Sequence, residues 1–243
     1  MSGALDLTRF EVLSFDCYGT LIDWEAGIAA VLSPWAAEQE LALDADALLA
    51  AYADSEAAME REQPTARYPD VLAAAFRRTG EALSAPVSDA WAQRLAQSVP
   101  DWPAFPDSAG ALTRLAGHYR LIIVSNVHRD GFAASNRRLQ GDFAAVITAQ
   151  DVGAYKPADN HFEALEAKLA ELGVGREALL HVAQSLFHDH VPARRHGIQS
   201  VWINRRHGTD GWGATPAPDS EVGFSAEYRS MAALADAADA AFA

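Results

Sequence analysis

FEVLSFDCYGTLID, residues Phe10 to Asp23, decides how the rest of the chain is read. Its apolar side chains Val12, Leu13 and Phe15 end on one acid, Asp16. Gly19 and Thr20 follow, and the sequence turns helix-favouring at Trp24. An apolar run that ends on a carboxylate and a glycine-containing turn has the pattern of a buried parallel strand. Such a strand presents a side chain at its C-terminal tip, where open α/β sheets gather their chemistry. The other reading is a strand followed by an Asx-turn, with Asp16 capping the next segment.

Outward from this stretch the chain falls into two regimes. From Trp24 to Ala96 it is Ala-rich and nearly free of β-branched runs. Leu48, Leu49, Tyr52 and Met59 mark one amphipathic helix, and Val71, Leu72, Ala75 and Phe76 another, begun at Pro69-Asp70. The Pro-rich passage Val99 to Pro106 closes this region. Helix and strand then alternate. Strands are expected at Tyr119–Asn126, Phe143–Thr148, Ala178–Ala183 and Ser200–Asn204. Helices are expected from Asp107, from Asp130, around Phe162, Leu165, Leu169 and Leu172, from Asp189, and from Ser230. Ala149–Pro157 and Gly208–Ser220 read as loops. The alternation implies a parallel sheet with right-handed crossovers.

With 243 residues, half of them hydrophobic, the chain can bury a substantial core. Its formal charge of −14, from 33 acids against 19 bases, argues against a general role on nucleic acid or an anionic membrane. A small anionic substrate remains compatible, since it needs only a local positive pocket. Cys17 is the single cysteine, so no intrachain disulfide forms and a reducing compartment is expected. The N-terminus lacks a basic stretch followed by an apolar one, and no apolar run approaches the ~20 residues of a membrane span. The expectation is a cytoplasmic protein.

In a parallel sheet the groups that follow each strand collect at one edge. Here they are Asp16, then Ser125 and Asn126, then Lys156, then Gln184, Ser185 and the run to Asp189. A lysine beside Asp16 favours its ionised form and lowers its pKa. An ionised carboxylate in a dry crevice is a nucleophile. Each residue also has a plain reading: Ser125-Asn126 as a turn, Lys156 as a loop residue, Asp189 as a helix cap. His188 and His190 flank Asp189, but adjacent residues do not readily face one ion and no third ligand is spaced for it. His188 suits a general base, and His190 a structural place.

These motifs resemble those of the haloacid dehalogenase superfamily: SFDCYGTLID its nucleophile motif, VSN its second, AYKP its lysine motif, AQSLFHD its last acidic motif. The resemblance implies an α/β fold with a Rossmann-like parallel sheet of order 3-2-1-4-5. It implies a core of residues 1–20 and 103–243 and an all-helical cap, residues 21–102, inserted after strand 1. Most members are magnesium phosphatases, which carry Asp two residues after the nucleophile and another after the fourth strand. Those positions are Tyr18 and Gln184 here. A phenol with pKa near ~10 donates protons poorly, and an amide removes a hard anionic oxygen that magnesium prefers.

The L-2-haloacid dehalogenase branch is more similar and uses no metal or other cofactor. It implies displacement of halide from C2 of a small 2-halo acid by Asp16, through an ester that water then hydrolyses. The implied catalytic residues are Asp16, Lys156, Asp189, Ser125, Thr20 and His188. Those bordering substrate are Tyr18, Cys17, Asn126, Ser185, Gln184, Arg61 and Phe162. Cys17 alternates away from the nucleophile and reads as a packed small residue. Four positions depart from the branch. Ala53 stands where a halide-gripping cap Arg is usual, with Arg61 or Arg67 as replacements. Phe162 stands for a Tyr, and Gln184 and Leu186 replace a Ser and an Asn. A leaving group other than chloride, including fluoride, is therefore an option. The alternatives are a magnesium-dependent phosphatase and a non-catalytic carboxylate-binding module. Dimers are common in the branch, and the Ala-rich helices give a surface for a homodimer.

Overall fold

The computed structural model describes residues 5–218 and 222–243. The end of the expected Gly208–Ser220 loop and the first four residues of the N-terminus lie outside them. Six strands form one parallel sheet: β1 (Val12–Phe15), β2 (Arg120–Ser125), β3 (Ala145–Thr148), β4 (Leu179–Ala183), β5 (Gln199–Ile203) and β6 (Ala226–Tyr228). Their order is β3-β2-β1-β4-β5-β6. The expected 3-2-1-4-5 arrangement is present, extended by a short edge strand that is absent from the sequence reading. With three residues, half-buried at both ends, β6 offers no alternating pattern to detect.

β1 is central. Val12 is in register with Arg120 on one side and Leu179 on the other, and all four of its residues are buried. A strand covered on both faces is apolar throughout rather than alternating, which is why this run was legible.

After β1, and before the Pro-rich passage, come α1 (Trp24–Glu38), α2 (Ala45–Glu62), α3 (Tyr68–Ala82) and α4 (Asp89–Ala96). Side-chain caps start three of them: Asp23 on the amide of Ala26, Asp44 on that of Ala47, and Ser88 on that of Trp91. Their apolar faces meet around Trp35, Tyr52, Leu72 and Phe76. They form the helical cap. The remaining helices are α5 (Ser108–Leu115), α6 (Arg129–Leu139), α7 (Ala149–Val152), α8 (Asn160–Glu171), α9 (Val191–Arg195) and α10 (Met231–Phe242). The α7 turn corrects the expected loop at Ala149–Pro157. Thr148 and Asp151 form a reciprocal capping box that starts it. The expected helix at Asp189 begins earlier, as a π-helical turn over Leu186–His190 capped by Ser185. Asp189 is therefore not a cap. No helix among the described residues is long and apolar enough to cross a membrane.

Gly27 sets how closely the cap approaches the core. A Cβ there would lie inside the van der Waals radius of the Trp102 ring. Trp102 is fully enclosed and cannot move aside. Gly27→Ala gains up to ~1 kcal/mol of helix propensity but suffers an overpacking cost of ~1–3 kcal/mol. The expected result is a net loss, seen as a fall of a few degrees in Tm by calorimetry.

Candidate active site

The tips of β1, β2 and β4 converge under the cap. Asp16 leaves β1 with its carboxylate buried, and Gly19 then turns the chain back at φ +95°. A side chain at Gly19 would crowd Gln184 and Trp24, so the turn requires glycine twice over. Thr20, inside that turn, donates from Oγ1 to Asp16 Oδ2 at 2.7 Å and accepts the Gln184 amide at 2.9 Å.

Lys156 arrives from the loop after α7 and is 1% exposed. Its Nζ donates to Asp16 Oδ1 at 3.0 Å, to Asp189 Oδ1 at 2.7 Å and to the Val124 carbonyl at 2.9 Å. An ammonium has three protons, and all three are used. Asp189, brought in by the π-helical turn, also accepts from His181 Nε2 at 3.1 Å, while His181 Nδ1 meets Ser14 Oγ at 2.8 Å. The other Asp189 oxygen, Oδ2, has no hydrogen-bond partner among the described residues. It belongs to a residue that lines the cavity above Asp16.

One cation shared by two buried carboxylates sets their proton affinities. Burial alone would lower Lys156, but the charges and hydrogen bonds of Asp16 and Asp189 outweigh it, and its pKa is pushed up to about 12. Burial also pushes Asp189 up, yet Lys156 and the His181 bond hold it well below the ordinary carboxylate range. For Asp16 burial wins: it lies above its ordinary value despite Lys156 and Thr20, with the Asp189 charge adding to the rise. Lys156 lowers it, as expected, but the net shift is upward because burial outweighs the lysine. The consequence favours nucleophilicity, since a desolvated, more basic oxygen attacks carbon better.

The cavity has a volume of ≈ 30 Å³, room for on the order of two waters. Asp16, Tyr18, Ser125, Asn126, Lys156, Ser185, His188 and Asp189 border it, so most of the expected residues are brought together. Tyr18 donates to or accepts from Ser135 at 2.7 Å, and burial raises its phenol well above 10. It is no proton donor at neutral pH. Asn126 bridges core and cap: its Oδ1 accepts the Lys156 amide at 2.7 Å and its Nδ2 reaches Glu60 at 3.2 Å. Burial lowers His188 to about 4, so the ring is neutral. Its Nδ1 lies 3.1 Å from Ser185 Oγ.

Four expected substrate contacts are not at this cavity. Cys17 packs in the main core. Phe162 lies below the sheet, against the rings of His181 and His196. The Gln184 side chain faces a separate crevice with Gly19, Arg205 and Arg206. Arg61 is exposed on an outer crevice with Tyr155, Phe187 and Arg195, and Arg67 is exposed as well, so neither replaces the usual cap arginine at the cavity.

The cap instead contributes residues that the sequence reading missed. Glu56 and Glu60 of α2 both border the cavity, with Tyr68 of α3. Glu56 Oε1 accepts from Tyr68 at 3.0 Å and Tyr52 at 3.2 Å. Burial lifts Glu56 to about 7, and burial together with Glu56 lifts Glu60 well above its usual range. The available signal was spacing. Leu48, Tyr52, Glu56 and Glu60 recur every four residues, so the two acids continue the stripe that buries Leu48 and Tyr52.

Magnesium, which the resembled superfamily generally uses, does not fit this donor set. The ammonium of Lys156 occupies the space between Asp16 Oδ1 and Asp189 Oδ1, Thr20 takes Asp16 Oδ2, and Gln184 points away. One free carboxylate oxygen remains where magnesium needs near-octahedral oxygen ligands.

A family model for haloacid dehalogenase-like hydrolases matches residues 10–185. Among solved structures, the chain is similar to the L-2-haloacid dehalogenase RSc1362, at 22% identity and a TM-score of 0.77, over 95% of this chain and 99% of that one. It is similar to an L-2-haloacid dehalogenase from Xanthobacter autotrophicus, at 18% identity and a TM-score of 0.73, over 93% and 97%. It is equally similar to magnesium-bound YfnB from Bacillus subtilis, at 18% identity and a TM-score of 0.73, over 95% and 99%. At such identities these likenesses show the fold alone. No functionally curated protein matches the sequence.

Proposed function

The chain belongs to the haloacid dehalogenase-like hydrolases, and from that premise we propose that it hydrolyses the carbon–halogen bond of a small 2-halo acid without a metal. The observation that carries this reading is the setting of Asp16: a buried carboxylate, held by Lys156 and Thr20, that lines a cavity with a phenol, Tyr18, where phosphatases carry their acid.

In the first step Asp16 attacks C2 and expels halide with the bonding electron pair, leaving an aspartyl ester. Lys156 and Thr20 orient the carboxylate, and Ser125 and the amides after Asp16 receive the substrate carboxylate, with Asn126 bordering the cavity. Glu56 and Glu60 offer little repulsion to that anion when they carry protons. In the second step a water held by Asp189 Oδ2 attacks the Asp16 carbonyl. His188 Nε2 takes its proton while Ser185 accepts from Nδ1. The product hydroxy acid leaves, and Asp16 is restored. His181, bonded to Ser14, positions Asp189 rather than touching substrate.

An ion-release screen over chloro-, bromo- and fluoroacids, with and without EDTA, tests this function. Turnover of at least one acid, unchanged by EDTA, is the expected result. Hydrolysis of an aryl phosphate that EDTA abolishes would replace the proposal with a phosphatase.

A further inference from the structure

We propose that Glu60 is the acid that protonates the departing halide, and that the cap is thereby built for fluoride, the most basic halide. The inference rests on the dehalogenase reading of the Asp16 site.

Displacement at C2 is in line, so the leaving group departs on the side opposite the nucleophile. Asp16 comes from β1 in the core, and the wall facing it is the cap, where α2 presents Glu60. Asn126 engages Glu60 Oε1, whereas Oε2 takes no hydrogen bond among the described residues and lies 3.8 Å from His188 Nε2. A proton on Oε2 is therefore free to point at a leaving group. The ammonium of Lys156 has no donor left, and Arg61 faces the outer crevice, so among the described residues neither cation is placed to take the halide. Tyr68 has committed its hydroxyl to Glu56 and Tyr18 its own to Ser135. The small cavity also favours the smallest halide.

The groups around Glu60 agree with a proton there. Burial and Glu56 raise its proton affinity. Asn126, Lys156 and Arg61 lower it without reversing the shift, and the other neighbours, His188 and Tyr155, are neutral. The step balances. The C2–F bond breaks with its electrons on fluorine, Glu60 gives its proton to that fluoride, and Asp16 bonds to C2. When water attacks the ester, one of its protons passes to His188 Nε2 and on to Glu60 Oε2, recharging the acid. The other ends on the product hydroxyl. The sum is fluoro acid plus water giving hydroxy acid plus hydrogen fluoride.

The test measures fluoride and chloride release from fluoroacetate and chloroacetate by wild type and Glu60→Gln across pH. The amide is isosteric and still donates a hydrogen bond, so chloride release reports that the site is intact. Wild type is expected to release fluoride with a bell-shaped profile. Asp16 must ionise on the acid limb, and Glu60 must keep its proton on the alkaline limb. In Glu60→Gln fluoride release falls by about 100-fold or more, as loss of a general acid implies, the alkaline limb disappears, and chloride release changes by less than about tenfold. If wild type releases both ions and the variant keeps the same fluoride-to-chloride ratio, the Glu60 assignment is overturned while the dehalogenase reading stands. If wild type releases neither ion, both are overturned.

Discussion

Asp16→Asn abolishes halide release, with a fall of about 10⁴-fold or more, while the protein keeps its fold. The size of the effect follows from the role. Asp16 forms a bond to substrate, and an amide oxygen is too weak a nucleophile to replace a desolvated carboxylate. The replacement is close to isosteric, and Oδ1 still accepts from Lys156 as the Asp16 carboxylate does at 3.0 Å. Folding is thus preserved for a second reason: Asp16 lies above its ordinary carboxylate value through burial, so its charge is not a large source of native stability. Circular dichroism and Tm near those of wild type, with no ion release, are the expected pair of results. Turnover that survives Asp16→Asn would remove the covalent mechanism.

The second large effect is Lys156→Met, and it acts on both stability and turnover. The methionine fills the channel but leaves Asp16 and Asp189 buried without their shared cation. Removing one partner of a buried ionic group costs about 3–5 kcal/mol, far more than an exposed pair would. The sign of the pH dependence follows. Without Lys156 the two carboxylates hold protons more tightly in the folded state than in the unfolded chain. The folded state then binds more protons, and stability falls as pH rises above the unfolded carboxylate pKa. Chemical denaturation of Lys156→Met is expected to show a larger deficit at pH 8 than at pH 5. Turnover at neutral pH falls by about a thousandfold, with the residue of activity displaced to higher pH, where Asp16 ionises. Equal destabilisation at both pH values would mean that the loss is packing alone.

The core of the fold and half of the site were readable because parallel strands simplify the pattern. β1, β2 and β4 are buried on both faces, so each is an apolar run, and whatever polar group ends the run stands out. Asp16, Ser125, Asn126 and Ser185 were found in this way, and Lys156 and Asp189 from the loops beyond. The residues that escaped notice sit inside elements, where burial is set by neighbours distant in sequence. Ser14 and His181 face each other across adjacent strands, in register with one another. Nothing local to either marks the pair. Glu56 and Glu60 look like the solvated face of an amphipathic helix until the four-residue spacing from Leu48 and Tyr52 is followed into the cavity. The opposite error befell Phe162, which is core because its own stripe of Leu165 and Leu169 is core. Cys17 illustrates the strand rule in reverse: one residue past the nucleophile, it turns from the cavity into the packed interior.

A single turnover in ¹⁸O-labelled water tests the covalent step most directly. Enzyme in excess is mixed with fluoroacetate or chloroacetate, digested, and the peptide that carries Asp16 is weighed. Attack of water on the aspartyl ester carbonyl places the label in the Asp16 carboxylate, and the glycolate formed in that first turnover stays unlabelled. Label in the glycolate with none in the Asp16 peptide would mean that water attacks C2 itself and that Asp16 forms no ester.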